Sequence, residues 1–231
     1  MLTVSTYLRR MPSPRTRRPP RPYHHGDLRQ ALLAAAVRLL RAGGTDALTL
    51  RAVAREAGVS QTAPYRHFAD REALVAGVAE AGFRELHAAI VAAVDGAVDK
   101  GRGLQRIALA YVRFALEHPA EYRIMFGHQV VARRRDEGLR EAGGSVFALL
   151  SGGIAHLQST GRVRAGDPDT MAVSAWALVH GLVTLVLDDQ LPPGTARDLE
   201  TLATEATGFL MFGMAAGAPP PAVARAKPGM R

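Results

Sequence analysis

The sequence predicts an all-α protein: an N-terminal helix-turn-helix unit of three helices, then a larger helical domain, about nine helices in total. Three observations carry this. Apolar residues recur at helical spacing through nearly the whole chain, with no convincing strand and no internal repeat. The run Leu50 to Leu74, LRAVAREAGVSQTAPYRHFADREAL, reads as helix, tight turn, helix and the start of another. The charge is also one-sided. Residues 1–72 hold thirteen arginines against five acids, which accounts for the whole net charge of +8, and the remainder balances to zero.

Residues 1–22 carry six of those arginines and Pro12, Pro14, Pro19, Pro20 and Pro22, so a disordered basic tail is expected, with order beginning near Tyr23. The helix-turn-helix unit is assigned to residues 23–72. In its first helix Leu28, Leu32, Ala35 and Leu39 form one apolar stripe, Asp27 is placed to cap with Gln30 three residues on, and Gly43-Gly44 ends the helix. Thr49 caps a second helix that Gly58 terminates, and Ser60 caps a third in which Pro64 forfeits only the first intrahelical bond. Asp70 caps a long helix from Arg71 toward Val98.

The larger domain, residues 73–214, continues with helices expected near 102–117, 119–128, 137–160, 168–188 and 195–213, punctuated by Gly101, Pro119, Gly161, Pro168 and Pro192-Pro193. Residues 215–231 read as a second disordered tail. Thr170 to Leu187 is long and apolar enough to suggest a membrane span, but Ser174, Trp176, His180, Gly181 and Thr184 dilute it and no basic flank is present. Core on one side and a second subunit on the other is the expected arrangement.

The chain has no cysteine, which excludes disulfides, thiolate zinc sites and cysteine catalysis and fits a reducing cytoplasm. The N-terminus lacks an apolar signal core. Enzyme signals are thin. Gly101-Arg102-Gly103 has Arg106 where a phosphate loop needs its third glycine, His24-His25 has no partner at metal spacing, and Asp188-Asp189 sits at a helix end. No catalytic residue, metal site or cofactor is implied. The near-exclusive use of arginine over lysine and the abundance of alanine fit a GC-rich, bacterial coding bias.

The side chains of the third helix suit a double-stranded DNA partner. Ser60, Gln61, Thr62 and Ala63 form its first turn; Gln61 can bond adenine bidentately, and the methyl groups of Thr62 and Ala63 can meet thymine methyls. Tyr65 and His67 offer hydroxyl and ring N–H to phosphates, Thr49 caps toward phosphate, and Arg51 and Arg71 supply charge. Core packing for Tyr65 and a helix-end hydrogen bond for His67 are the competing readings.

The segments Tyr23 to Ala36 (YHHGDLRQALLAAA), Leu48-Thr49, Val53-Ala54, Ala57-Gly58-Val59-Ser60, Pro64-Tyr65-Arg66-His67-Phe68 and Arg71-Glu72-x-Leu74 resemble, in order, the TetR/AcrR family of bacterial transcriptional regulators. The family usually has lysine at the position of Arg71. Trp176-x-x-x-His180-Gly181 and HPAEYRIMFG (His118 to Gly127) resemble the C-terminal domain of a subgroup named for a Trp-His-Gly signature.

The resemblance implies a cytoplasmic, homodimeric, sequence-specific regulator, most often a repressor, that a small molecule releases from its operator. A non-specific architectural DNA binder, or a helical enzyme or ligand carrier that kept the scaffold, is the alternative. Trp176 and His180, at i and i+4, can line one space, although a buried Trp stacked on a core His is an equal reading. Tyr111, Phe114, Met125 and Phe126 complete the candidate ligand set, which suits a small, largely apolar effector.

Overall fold

The computed structural model describes residues 25–95, 103–127, 130, 136–192 and 198–215, with side chains from Leu28 onward. Both expected tails lie outside the described residues, apart from Ala215. Among the described residues there are eight α-helices: α1 (His25–Gly43), α2 (Leu50–Glu56), α3 (Arg71–Asp95), α4 (Gly103–Glu117), α5 (Pro119–Met125), α6 (Glu137–Ser159), α7 (Pro168–Leu187) and α8 (Leu199–Met214). Thr45–Ala47 and Pro64–Arg66 are short 3₁₀ turns, and the only extended pairing among these residues is a single bridge between Val163 and Ala215.

Helix starts follow the short polar residues. The backbone N–H of Ala52 donates to Thr49 Oγ1 at 3.1 Å and that of Ala73 to Asp70 Oδ1 at 2.6 Å. Asp136, Asp167 and Asp198 cap α6, α7 and α8 in the same way. Each such cap contributes about 1 kcal/mol by satisfying an otherwise orphaned amide. Gly58, at φ 69°, closes α2: its neighbour Val59 donates back to the Ala54 carbonyl at 3.0 Å, which requires the left-handed conformation that glycine adopts freely.

Two expectations fail locally. Asp27 does not cap α1 but lies inside it, because the helix already runs from His25. The third helix is not α-helical. Only Pro64–Arg66 is a regular 3₁₀ turn: Ala63 N–H donates to the Ser60 carbonyl at 3.0 Å, Arg66 to Ala63 at 3.3 Å and His67 to Pro64 at 2.9 Å, and Phe68 adds a single i→i+4 bond to Pro64 at 2.9 Å. Pro64 has no N–H to offer the Ser60 carbonyl, so Ala63 takes it and the segment tightens toward 3₁₀ geometry.

The core is continuous from end to end. Leu32, Leu48, Val53, Phe68 and Leu74 tie α1, α2 and the Pro64 turn to the start of α3, whose remaining length packs against α4, α5 and α6. Burying Phe68 alone stabilises this corner by about 1.5–3 kcal/mol. α5 crosses α3 at Gly82, where any Cβ would come within 2.7 Å of Met125 Sδ. α7 and α8 cover α4 and α6 on the far side, burying Ala172, Ala175, Val179, Val183, Leu199 and Ala203. α7 is the one described helix long and apolar enough to cross a membrane, and it packs here against α4, α6 and α8.

Candidate DNA interface and internal cavity

The Pro64 turn stands out from the body on a buried anchor. Pro64 and Phe68 are buried, while Ser60, Gln61, Thr62, Tyr65 and Arg66 between and before them are exposed. Tyr65, 53% exposed, faces solvent and not the core. Ser60 Oγ and Thr62 Oγ1 lie 3.3 Å apart, Thr49 and Arg51 are exposed beside them at the start of α2, and Ala63 and His67 are half-buried. Of the sequence-derived set, Arg71 is held by backbone carbonyls. Its Nε donates to the Leu48 carbonyl at 2.8 Å and its Nη2 to the Thr45 carbonyl at 2.6 Å. The arginine expected to reach phosphate instead clamps the start of α3 to the turn that launches α2.

The larger helices enclose a cavity of about 600 Å³ between α3, α4, α5, α6 and α7. Tyr111, Met125, Phe126, Trp176 and His180 line it, as do Phe83, Ile107, Phe147 and Leu150. Phe114 does not. It is buried beside His118, ring centroids 4.8 Å apart, because its position on α4 faces α5 and not the cavity.

At the cavity wall four groups form one hydrogen-bonded chain. Trp176 Nε1 donates to Tyr111 Oη at 3.4 Å, Tyr111 Oη donates to Tyr122 Oη at 3.2 Å, and Tyr122 Oη lies 2.7 Å from His180 Nδ1. Tyr111 Oη also lies 2.8 Å from the same nitrogen. Nδ1 of a neutral ring accepts from a hydroxyl or donates to one, according to its tautomer. Burial favours the neutral ring by lowering the His180 pKa. Burial likewise pushes the Tyr122 hydroxyl up to about 12 and that of Tyr111 well above its usual value, so both remain donors. Phe126 caps the cluster with its ring 4.7 Å from His180. Trp176 and His180 are thus wall and network at once.

α5 carries a second polar group on the neighbouring face, at Glu121. Glu121, 3% exposed, accepts from Arg41 Nε of α1 at 2.8 Å, and Arg41 Nη2 lies 3.0 Å from His118 Nδ1. Its other oxygen, Oε2, is buried without a partner in the described structure. One short helix therefore touches the cavity network through Tyr122 and the N-terminal helices through Glu121.

Comparison with known proteins agrees with this layout. Residues 32–78 match the family described as bacterial regulatory proteins, tetR family, and residues 104–210 match the Tetracyclin repressor-like C-terminal domain. A solved structure of a protein with unknown function from Rhodococcus sp. RHA1 is 37% identical, with a TM-score of 0.71 over 85% of this chain and 100% of that one. This chain belongs to the tetR family.

Two further tetR-family structures share the fold at lower identity. PfmR from Thermus thermophilus is 18% identical, with a TM-score of 0.58 over 78% of this chain and 97% of that one. A tetR-family regulatory protein from Rhodococcus RHA1 is 20% identical, with a TM-score of 0.59 over 82% and 97%. No curated protein matches the chain. For a tetR-family chain, the residues that sequence reading missed are instructive. Tyr122 sits in the HPAEYRIMFG segment, where its aromatic character was visible. Phe83, Phe147 and Leu150 face the cavity only because α3 and α6 turn those positions inward, and Arg140 borders it with an exposed side chain.

Proposed function

We propose that this protein is a homodimeric, sequence-specific DNA-binding transcriptional regulator, a repressor that a small molecule in the cavity releases from its operator. Residues 23–72 are the reading unit and residues 73–214 the effector and dimer unit. The carrying observation is α5, whose Tyr122 bonds His180 at the cavity while Glu121 holds Arg41 of α1. A ligand that displaces the Tyr122–His180 contact moves α5, and with it the purchase of α1.

The reading surface is Ser60 to Arg66, with Thr49 and Arg51 flanking it. Gln61 and the methyl groups of Thr62 and Ala63 supply base contacts, and Tyr65, His67 and Arg51 supply phosphate contacts. Arg71 acts through the turn it clamps. Two copies pair through the outer faces of α7 and α8, where Val173, Phe209 and Phe212 are exposed. That pairing sets the separation of the two reading surfaces, and two-fold dimers read half-sites a helical turn or a multiple apart. Trp176, His180 and Gly181 suit the Trp-His-Gly subgroup, and a cytoplasmic location follows from the DNA partner.

The test is fluorescence anisotropy on a labelled duplex from the DNA upstream of the protein's own gene. The expected result is salt-sensitive binding several powers of ten tighter than to a scrambled duplex of equal length. Equal affinity for both duplexes overturns the reading.

A further inference from the structure

The charge composition of the cavity restricts what it can hold. Among the described residues that line it, only Arg140 carries a full charge, none is an aspartate or glutamate, and His180 is held neutral by burial. A cationic ligand would enter with no counter-charge to meet it, whereas an anion meets one. Beyond Arg140, Phe83, Ile107, Phe147 and Leu150 make an apolar wall, and Tyr111, Trp176 and His180 engage their polar atoms with one another.

Arg140 is only weakly engaged elsewhere. It stands in the first turn of α6, where the helix dipole disfavours a cation. Its ion-pair partner among the described residues, Glu137, is 89% exposed and lies at 3.9 Å, the edge of contact. The nearby carboxylate of Glu80 is taken by Arg29 at 3.2 Å and Arg84 at 2.8 Å. The Arg140 side chain is exposed at the opening, so a ligand can keep its charged end partly hydrated there while its body enters.

We propose that the effector is an apolar monoanion, such as a medium-chain carboxylate, with its anionic end at Arg140 and its hydrocarbon body against the apolar wall. This rests on the cavity being the effector site, and the test separates the two. Trp176, the sole tryptophan, lines the cavity and reports binding through its fluorescence. The protein is titrated with three probes sharing one tail: decanoate, decanol and decyltrimethylammonium.

Decanoate is expected to bind about tenfold more tightly than either of the others, as a charge-assisted bond at a half-hydrated site allows. Arg140→Gln should erase that advantage and leave decanol binding unchanged. Decyltrimethylammonium binding as well as decanoate, or an advantage that survives Arg140→Gln, overturns the anion assignment alone. Gly143→Leu checks the site. A Cβ there meets the Phe83 ring at an unstrained 4.0 Å, and a larger side chain has the cavity to fill. Gly143→Leu should weaken all three probes; failure to do so, or no binding by any probe to the parent, overturns the cavity as the effector site.

Discussion

Arg41 Nε, in the first helix, donates at 2.8 Å to the buried Oε1 of Glu121, in the short fifth helix. The pair is unequal. Glu121 is almost wholly enclosed, and the Arg41 side chain is half exposed. Removing the arginine leaves a buried carboxylate with little water and, among the described residues, only the His118 ring 3.8 Å away, which is costlier than the pair's net contribution.

Arg41→Ala should therefore lower stability by about 1–3 kcal/mol, less than for a fully buried pair because solvent screens the exposed arginine. Arg41→Lys should recover part of this. If the pair also transmits the effector signal, Arg41→Ala should shrink the ratio of DNA affinities measured with and without effector. Chemical denaturation and anisotropy read the two effects separately. A variant with parental stability and response would remove Glu121–Arg41 from the account.

The polar chain at the cavity predicts a pH dependence at both ends. The His180 pKa is lowered by burial, so its contribution is complete above the ordinary 6.5 and is lost as pH falls from there through the folded value. The Tyr122 pKa is raised to about 12, so its contribution is complete below the ordinary 10.0 and is lost as pH rises from there through about 12. His180→Gln, which cannot gain a proton, should flatten the acid limb of a melting-temperature profile. An unchanged acid limb would place that limb on other groups.

Gln61→Ala should relax sequence preference at one or two positions of the operator, each by about 1–3 kcal/mol. Arg71→Ala should behave differently. Its bonds to the Leu48 and Thr45 carbonyls hold the α1–α2 turn, so affinity for all sequences should fall together with the stability of the N-terminal helices. Parental binding by both variants, measured against operator and scrambled duplexes, would discard the reading surface.

The pairing face offers a clean substitution. A Cβ on Gly181 meets nothing within 4 Å in the single chain, so Gly181→Leu should leave the subunit fold intact and overfill only a contact with a second copy. Phe209 and Phe212, 79% and 82% exposed, make the companion test: changing both to glutamate should give a soluble monomer. Sedimentation at micromolar concentration decides it. A dimer undisturbed by either change would move the interface elsewhere.

Helix positions were legible because proline, glycine and capping aspartate mark their ends. Expected spans 102–117, 137–160 and 168–188 differ from α4, α6 and α7 by one residue at an end. Where periodicity gave no guide, reading failed. Nothing in the sequence period distinguishes an α-turn from the 3₁₀ winding at Pro64, since both place the same residues outward. Arg71 looked available because it bonds the backbone carbonyls of Leu48 and Thr45, which sequence does not display. Phe114 and Tyr111 lie on one helix three residues apart, yet only Tyr111 faces the cavity, a choice made by how α4 rolls against α5 and α7.

The most direct test of the central claim is a nuclease footprint of the full-length protein on the DNA upstream of its own gene. A two-fold dimer presenting two Ser60–Arg66 surfaces should protect one discrete site, with half-sites about 10–10.5 base pairs or a multiple apart. Gln61→Ala should lose protection at defined bases within each half-site. Uniform protection along the fragment, or none at concentrations that saturate it, would contradict the assignment of this chain as a sequence-specific regulator.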